Sequence, residues 1–308
     1  MKTIAHLLAA LVMLSPVVSS AAPPPGNALP ADTRIERDLV FGRASGRDLK
    51  LDLYLPPGDA SKPLIIWIHG GAWWAGSKNG PSPAQQLIGS GYAVAQISYR
   101  LSQAAPWPAQ IHDCKAAVRW LRANAAQYHL DPQRFAAWGS SAGGHLVAVL
   151  GTSGDVAELE GASNDVKASS RVQAVVDWFG PTDFLQMDKA GSEMKHDAPK
   201  SPESQLIGGP IQENREATAK ANPITYLGKG AQPPPFHIMH GSKDRTVPFN
   251  QSELLRDALQ AMHADVTFHP VAGAGHGFDG EKNIAPVRKF LARVLAPRAA
   301  ATSARSKP

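Results

Sequence analysis

Cysteine is almost absent from this chain of 308 residues. Cys114 stands alone, so no intramolecular disulfide can hold the fold together. It falls in the amphipathic stretch AQIHDCKAAVRWLRANAAQY, where a free thiol packs as a small hydrophobe and nothing presents it as a nucleophile. Runs of lysine and arginine are also missing. The net charge of +5 rests mostly on Lys2 near the start and on Arg298, Arg305 and Lys307 near the end, and falls to +1 without those four. A body so close to neutral, with no basic-aromatic stripe, lacks the footprint of a nucleic-acid binder. There is no P-loop, no dinucleotide-binding glycine pattern and no internal repeat. Past the first residues, no apolar run approaches the ~20 residues that a bilayer span needs.

The amino-terminal stretch MKTIAHLLAALVMLSPVVSSAAPPPG is the one long apolar segment. Lys2 supplies a positive start, Leu7 to Leu14 an apolar core, and Ser19-Ser20-Ala21-Ala22 small residues for cleavage, the layout of a secretory signal over residues 1–21. A secreted or periplasmic location is therefore expected. Residues 22–33, rich in Pro, Ala and Gly, read as a flexible lead-in, and 296–308 as a disordered basic tail. The remainder, 34–295, is long enough for one domain with a substantial core.

Within it, RIERDLVFG and DLKLDLYLPP alternate polar and apolar residues around a turn-like RASGR, the pattern of an antiparallel hairpin. The texture then changes. PLIIWIHG (63–70), YAVAQISYR (92–100), RFAAWGS (134–140), VQAVVDWFG (172–180) and FHIMHG (236–241) are continuous apolar runs, as strands covered on both faces require. Helical spacing appears over 108–127 and near 142–150, 250–262 and 284–295. The alternation predicts an α/β fold, a mostly parallel, doubly wound sheet with helices on both faces. The polar segment 181–222, punctuated by Pro and Gly, interrupts this rhythm and reads as a small cap or lid between two core strands.

WGSSAGGH (138–145) sets Ser141 at the centre of a G-x-S-x-G frame, after a buried strand and before a helix. In a nucleophile elbow the central backbone is strained, small residues two positions away on either side avoid clashes, and the helix N-terminus favours developing negative charge. Gly139 and Gly143 fill those two positions, and Ser140 is a small neighbour at the turn. Without that context the stretch would be only a tight strand-to-helix turn. HGGAWWAG (69–76) closes the first core strand with glycines that let backbone N–H groups approach a reacting carbonyl oxygen. Gly71, Ala72 and the N–H of Ala142 are the candidate oxyanion hole, with His69 bracing the loop and Gly70 serving the turn.

The base is sought among the histidines. His276 lies in VAGAGHGFDG, a glycine-rich loop after the strand DVTFHPV, and strand-end loops hold the sites of open α/β sheets. His237 and His240 are three apart on one strand and point to opposite faces, which argues against a metal pair. No metal is expected, and His145 reads as structural. Asp244 in HGSKDRTVP is the candidate acid, giving the chain order Ser141, Asp244, His276, and Asp183 in FGPTDF is its rival. Trp73, Trp74 and Phe278 are candidate substrate-lining residues; Trp178 and Phe249 fit ordinary packing at least as well.

HGGAWWAG, HLDPQRFAAWGSSAGGHLVA, DWFGPTDF, HGSKDRTVP and GAGHGF make residues 35–295 resemble the α/β-hydrolase superfamily. More narrowly, the chain is similar to serine esterases and lipases with an HGG oxyanion loop: the acetylxylan and feruloyl esterase (BD-FAE-like) branch and the hormone-sensitive-lipase-like carboxylesterases. HGGA, where many lipase-like members have HGGG, suits the first branch. The resemblance implies the α/β-hydrolase fold and hydrolysis of a small-molecule or polysaccharide ester without a cofactor. It leaves the oligomeric state open. A serine peptidase of this fold is a weaker alternative, since such enzymes often carry a large extra N-terminal domain and these residues hold none. A non-catalytic binding protein is weaker still, because all the triad residue types occur at compatible positions. Expressed in an exporting host, the mature chain is expected to begin at Ala22 or Pro23, which an intact mass would show; a mature chain that keeps Lys2 would remove the signal reading.

Overall fold

The computed structural model describes residues 29–297. The signal expected at 1–21 and most of the 22–33 lead-in and 296–308 tail lie outside the described residues. One sheet holds eight strands in the order β1-β2-β4-β3-β5-β6-β7-β8. They are β1 (Arg34–Ala44), β2 (Arg47–Leu55), β3 (Lys62–Ile68), β4 (Ala93–Ile97), β5 (Leu130–Ser140), β6 (Ala174–Trp178), β7 (Phe236–Gly241) and β8 (Val266–Val271). β2 runs antiparallel to both of its neighbours, and every other pairing is parallel. This mostly parallel sheet, with the expected hairpin at its start, is an α/β-hydrolase fold.

Strand alternation sorts the apolar runs onto two faces. Leu64, Ile66, Ile68, Phe135, Ala137 and Ile238 pack in one core with α1 (Ala109–Ala123), α2 (Ala142–Thr152) and α5 (Asn250–Ala261). Ile65, Trp67, Ala136, Trp138 and Met239 enter a second core on the other face, closed by α6 (Glu281–Val294) and a 3-10 helix, Pro83–Ser90. Because both faces are covered, the parallel strands show no polar face in the sequence. Each fully buried Leu, Ile or Val contributes about 1.5–3 kcal/mol relative to exposure, so this double core is the main source of stability.

Several local features differ from expectation. The hairpin turn is shorter than RASGR: Ala44 pairs with Arg47, leaving only Ser45 and Gly46 at φ 51° and 71°. A two-residue turn with both φ positive matches the strands' twist. The Pro83–Ser90 helix was not anticipated, although its start was readable: Ser82 is the N-cap, Pro83 opens the helix, and the Ser82 N–H donates to Gln85 Oε1 at 3.3 Å.

The segment 181–222 lies between β6 and β7 and carries two short helices, α3 (Pro202–Ile207) and α4 (Arg215–Ala219). It is better packed than its composition suggests. Met187, Leu206, Ile211 and Ala221 are fully buried in the first core, and the Trp107 N–H donates to the Leu206 carbonyl at 2.7 Å. Its polar residues pair among themselves: His196 Nδ1 lies 2.9 Å from Glu203 Oε1, while His196 Nε2 lies 2.9 Å from the Thr246 carbonyl at the end of the neighbouring β7 loop.

Candidate active site

The elbow is built by exclusion. Ser141 sits at φ 54°, ψ −124°, a conformation that a serine rarely adopts, and its N–H donates to the Trp178 carbonyl at 2.9 Å. A Cβ on Gly143 would overlap the Ile68 carbonyl, and one on Gly139 would overlap the Gly143 carbonyl. Only glycine lets α2 start this close to β3 and β5. Ser141 is thereby lifted to the sheet's C-terminal edge at the first turn of α2, where Ala142 is the first helical residue and its N–H has no intrahelical partner.

His276 and Asp244 meet Ser141 there. His276 Nε2 is 3.0 Å from Ser141 Oγ, and His276 Nδ1 is 2.7 Å from Asp244 Oδ2. The three residues come from the ends of β5, β7 and β8. Asp183, the rival acid, is occupied elsewhere: its carboxylate caps the turn at 184–186, accepting from the Leu185 N–H at 3.1 Å and from Gln186 Nε2 at 2.6 Å. In this geometry His276 can take the proton of Ser141, and Asp244 can hold the ring with Nε2 toward the serine.

Asp244 is 7% exposed and its carboxylate is saturated with donors. The Thr246 and Val247 N–H groups donate to Oδ1 at 2.9 and 3.0 Å, and Oδ2 takes His276. A second histidine, missed in the sequence, also reaches Oδ2: His240 Nε2 at 3.2 Å. His240 is wholly buried. Its Nε2 faces two acceptors, Asp244 Oδ2 and the Val247 carbonyl at 2.9 Å, so that nitrogen carries a proton, while Nδ1 lies 2.6 Å from Ser252 Oγ. Burial pushes the Asp244 carboxyl up, but the hydrogen bonds from His240 and His276 outweigh it and hold the group well below the usual carboxylate range. The available signal was positional: a histidine four residues before the acid, at a strand's end.

The 69–76 loop lies against the elbow, so that a Cβ on Gly70 would be 3.3 Å from that of Ser141. Gly71, Ala72 and Trp73 follow one another at φ 108°, 51° and 59°, and the Trp74 and Ala75 N–H groups both close on the Gly71 carbonyl, at 3.1 and 2.9 Å. Among the described residues no acceptor meets the N–H groups of Gly71, Ala72 or Ala142, the three expected donors. His69 does brace this loop: it stacks on Tyr99 with ring centroids 4.3 Å apart, and its Nδ1 lies 2.7 Å from the Gly70 carbonyl.

The aromatic expectations divide. Trp73 is corrected: it is 1% exposed, turned inward at its positive φ, and packed on Phe184 and His145. It supports the loop from below and offers substrate no surface. Trp74 stays half-buried at the loop's rim. Phe278 is half-buried on Trp178 and Phe179, at 4.8 and 5.1 Å between ring centroids. Phe179, not singled out in the sequence, stands edge-on 4.9 Å from the His276 ring. Asp177 was also passed over. Burial beneath the elbow pushes its carboxyl up to about 6, although the Gly180 N–H donates to it at 2.9 Å.

Two substitutions test this construction. Gly143→Ala should overpack the β3–α2 contact and cost about 1–3 kcal/mol in a denaturant titration; unchanged stability would mean that the contact is loose. His240→Phe keeps an aromatic ring and removes a donor that helps keep Asp244 ionised. A hydrogen bond to a charged group is worth about 1.5–3 kcal/mol, or about 1–2 pH units. Loss of that donor raises the Asp244 carboxyl of the folded state toward its unfolded value. A depressed carboxyl stabilises the fold above the carboxylate range and loses that effect as pH falls, so the variant should lose about 1.5–3 kcal/mol of unfolding free energy at pH 7, a deficit that shrinks as the pH is lowered through the carboxylate range. A deficit that stays constant with pH would leave His240 a packing role only.

The chain is similar to known ester hydrolases along most of its length. The BD-FAE family model matches residues 51–259, and the dienelactone hydrolase family model matches 218–304. A probable carboxylic ester hydrolase, LipM, of Mycobacterium tuberculosis is 31% identical over 84% of this chain and 61% of its own, and the esterase LipQ of the same organism is 31% identical over 79% and 57%. The chain thus spans about three fifths of the length of these curated relatives. Among solved structures, a truncated carbohydrate esterase from gut microbiota aligns with a TM-score of 0.77 at 33% identity, covering 86% of this chain and 97% of that one. An esterase of Thermogutta terrifontis with propionate bound aligns at 0.66 and 26%, covering 89% and 97%. With a model match over two thirds of the residues and an elbow and strand order that fit it, this chain belongs to the BD-FAE family of α/β-hydrolases.

Proposed function

We propose that this protein is an exported serine carboxylesterase that removes acyl groups, acetyl or feruloyl, from plant polysaccharide. One observation carries the chemistry: the unbroken path from Ser141 Oγ through His276 to Asp244, at 3.0 and 2.7 Å. Ser141 attacks the ester carbonyl as His276 takes its proton. Asp244 stays ionised and stabilises the imidazolium. The N–H groups of Gly71, Ala72 and Ala142 receive the oxyanion, and His276 returns its proton to the leaving alcohol. Water then repeats the attack on the acyl-enzyme. The polysaccharide part is supported by the likeness to a carbohydrate esterase, and export by the apolar amino-terminal stretch with its small-residue cleavage site.

The test is a panel of p-nitrophenyl acetate, butyrate and octanoate, methyl ferulate and acetylated xylan, with variants as controls. Ser141→Ala should lower kcat by about 10⁶, and Asp244→Asn by about 10⁴. Asp183→Asn should leave kcat within a few fold and cost at most about 1 kcal/mol of stability, as loss of a turn cap does. Activity that survives Ser141→Ala, or collapses with Asp183→Asn instead of Asp244→Asn, would overturn the assignment. A panel ranking with octanoate first would remove the polysaccharide reading and keep the esterase.

A further inference from the structure

A cavity of about 330 Å³ opens beside the β2–β4 pair, away from the elbow. β2 is antiparallel to β4, so the start of β2 lies at the same sheet edge as the ends of β4, β3 and β5. In the order β2-β4-β3-β5, strands about 4.8 Å apart put this cavity about 10–15 Å from Ser141. The 71–76 loop lies between, and the far wall is fastened to it. The Ser102 N–H donates to the Trp73 carbonyl at 2.9 Å, and Gln103 Nε2 donates to the Trp74 carbonyl at 3.0 Å. Trp74, half-buried, is thus tied through its carbonyl to a residue of the cavity wall.

The lining has an apolar floor and a mixed polar rim. Half-buried Leu101 and exposed Ala104 give the accessible apolar surface over buried Leu49 and Tyr99, and Arg47, Asp48, Ser98 and Gln103 stand on the rim. Among the described residues Arg47 has no side-chain partner, and Arg43 engages only Oδ1 of Asp48, at 2.7 Å. The Gln103 carbonyl oxygen is free, and Ser98 Oγ accepts from the Lys78 N–H at 3.1 Å while keeping its own proton to donate. The rim thus offers both donors and acceptors. An acyl chain would leave these groups unpaired, and a simple anion would meet the Asp48 carboxylate. A sugar ring meets both conditions, with a CH face for Leu101 and Ala104 and hydroxyls that donate and accept at the rim.

We infer that this cavity is a distal glycan subsite, holding a sugar unit further along the chain whose ester reaches Ser141. The inference rests on the polysaccharide reading above. It explains a division of labour along one edge: chemistry at β5, β7 and β8, chain recognition at β2 and β4. The experiment compares wild type, Arg47→Ala and Asp48→Asn on p-nitrophenyl acetate, on acetylated xylose and on acetylated xylo-oligosaccharides of increasing length. Expected are a KM for wild type that falls with chain length and a KM on the longer oligosaccharides about fivefold to tenfold higher in each variant. Kinetics on p-nitrophenyl acetate and acetylated xylose should be unchanged. Equal KM values for wild type and variants on oligosaccharides that wild type hydrolyses would overturn the subsite alone. So would an equal loss on all substrates, which marks a structural effect. Hydrolysis of p-nitrophenyl acetate with no hydrolysis of any acetylated saccharide would overturn the polysaccharide reading and the subsite with it.

Discussion

The site depends on one steric contact, the backbone of Gly143 pressed against the carbonyl of Ile68. It brings the first turn of α2 onto the end of β3. It also forces Ser141 into φ 54°, because β5 must stop and α2 must start within a single residue. The cost of that conformation is of order 1–3 kcal/mol, small beside the two cores that impose it. The same approach sets the Gly70–Ala72 backbone beside the serine. Ser141 and the backbone N–H groups of Gly71 and Ala72 are therefore positioned by one contact, and neither can be displaced without the other.

Electrostatics complete what packing begins. A carboxylate whose side chain is wholly buried would drift toward neutrality without compensation. Asp244 is compensated by two backbone N–H groups and two imidazoles, and the Val247 N–H and carbonyl both take part, one toward Asp244 and the other toward His240. The acid is thus held from the strand, from the loop that follows it and, through Ser252, from α5. Charge is fixed on the side of the His276 ring away from Ser141.

Much of this was legible in the chain, and each miss has a physical cause. Continuous apolar runs ending in glycine announced β3, β5 and β7, because a strand covered on both faces must be apolar throughout. Ser141 and His276 were legible because elbow and loop chemistry leaves glycines at fixed offsets. The acid was ambiguous because Asp183 and Asp244 both follow core strands; only the fold shows Asp183 spent on a turn cap. His240 was hidden in an apolar run, where a polar residue gives no hint of which polar group it faces. Trp73 was misplaced for the opposite reason: its neighbours lie at the site, but a positive φ rotates the side chain into the core.

His145 ties three distant segments with one ring. Trp73 Nε1 donates to its Nδ1 at 3.3 Å, and its Nε2 donates to the Ala221 carbonyl at 2.7 Å. Burial pushes this imidazole down to about 4, so it is neutral and its tautomer is set by these two partners. The 69–76 loop, the helix behind Ser141 and the end of the 181–222 segment therefore share a rigid strut. A strut of this kind transmits displacement and carries no charge. Movement at Ala221 would reach the loop's donors as a change of position, and acidity in the surroundings would leave that connection intact down to a pH near 4.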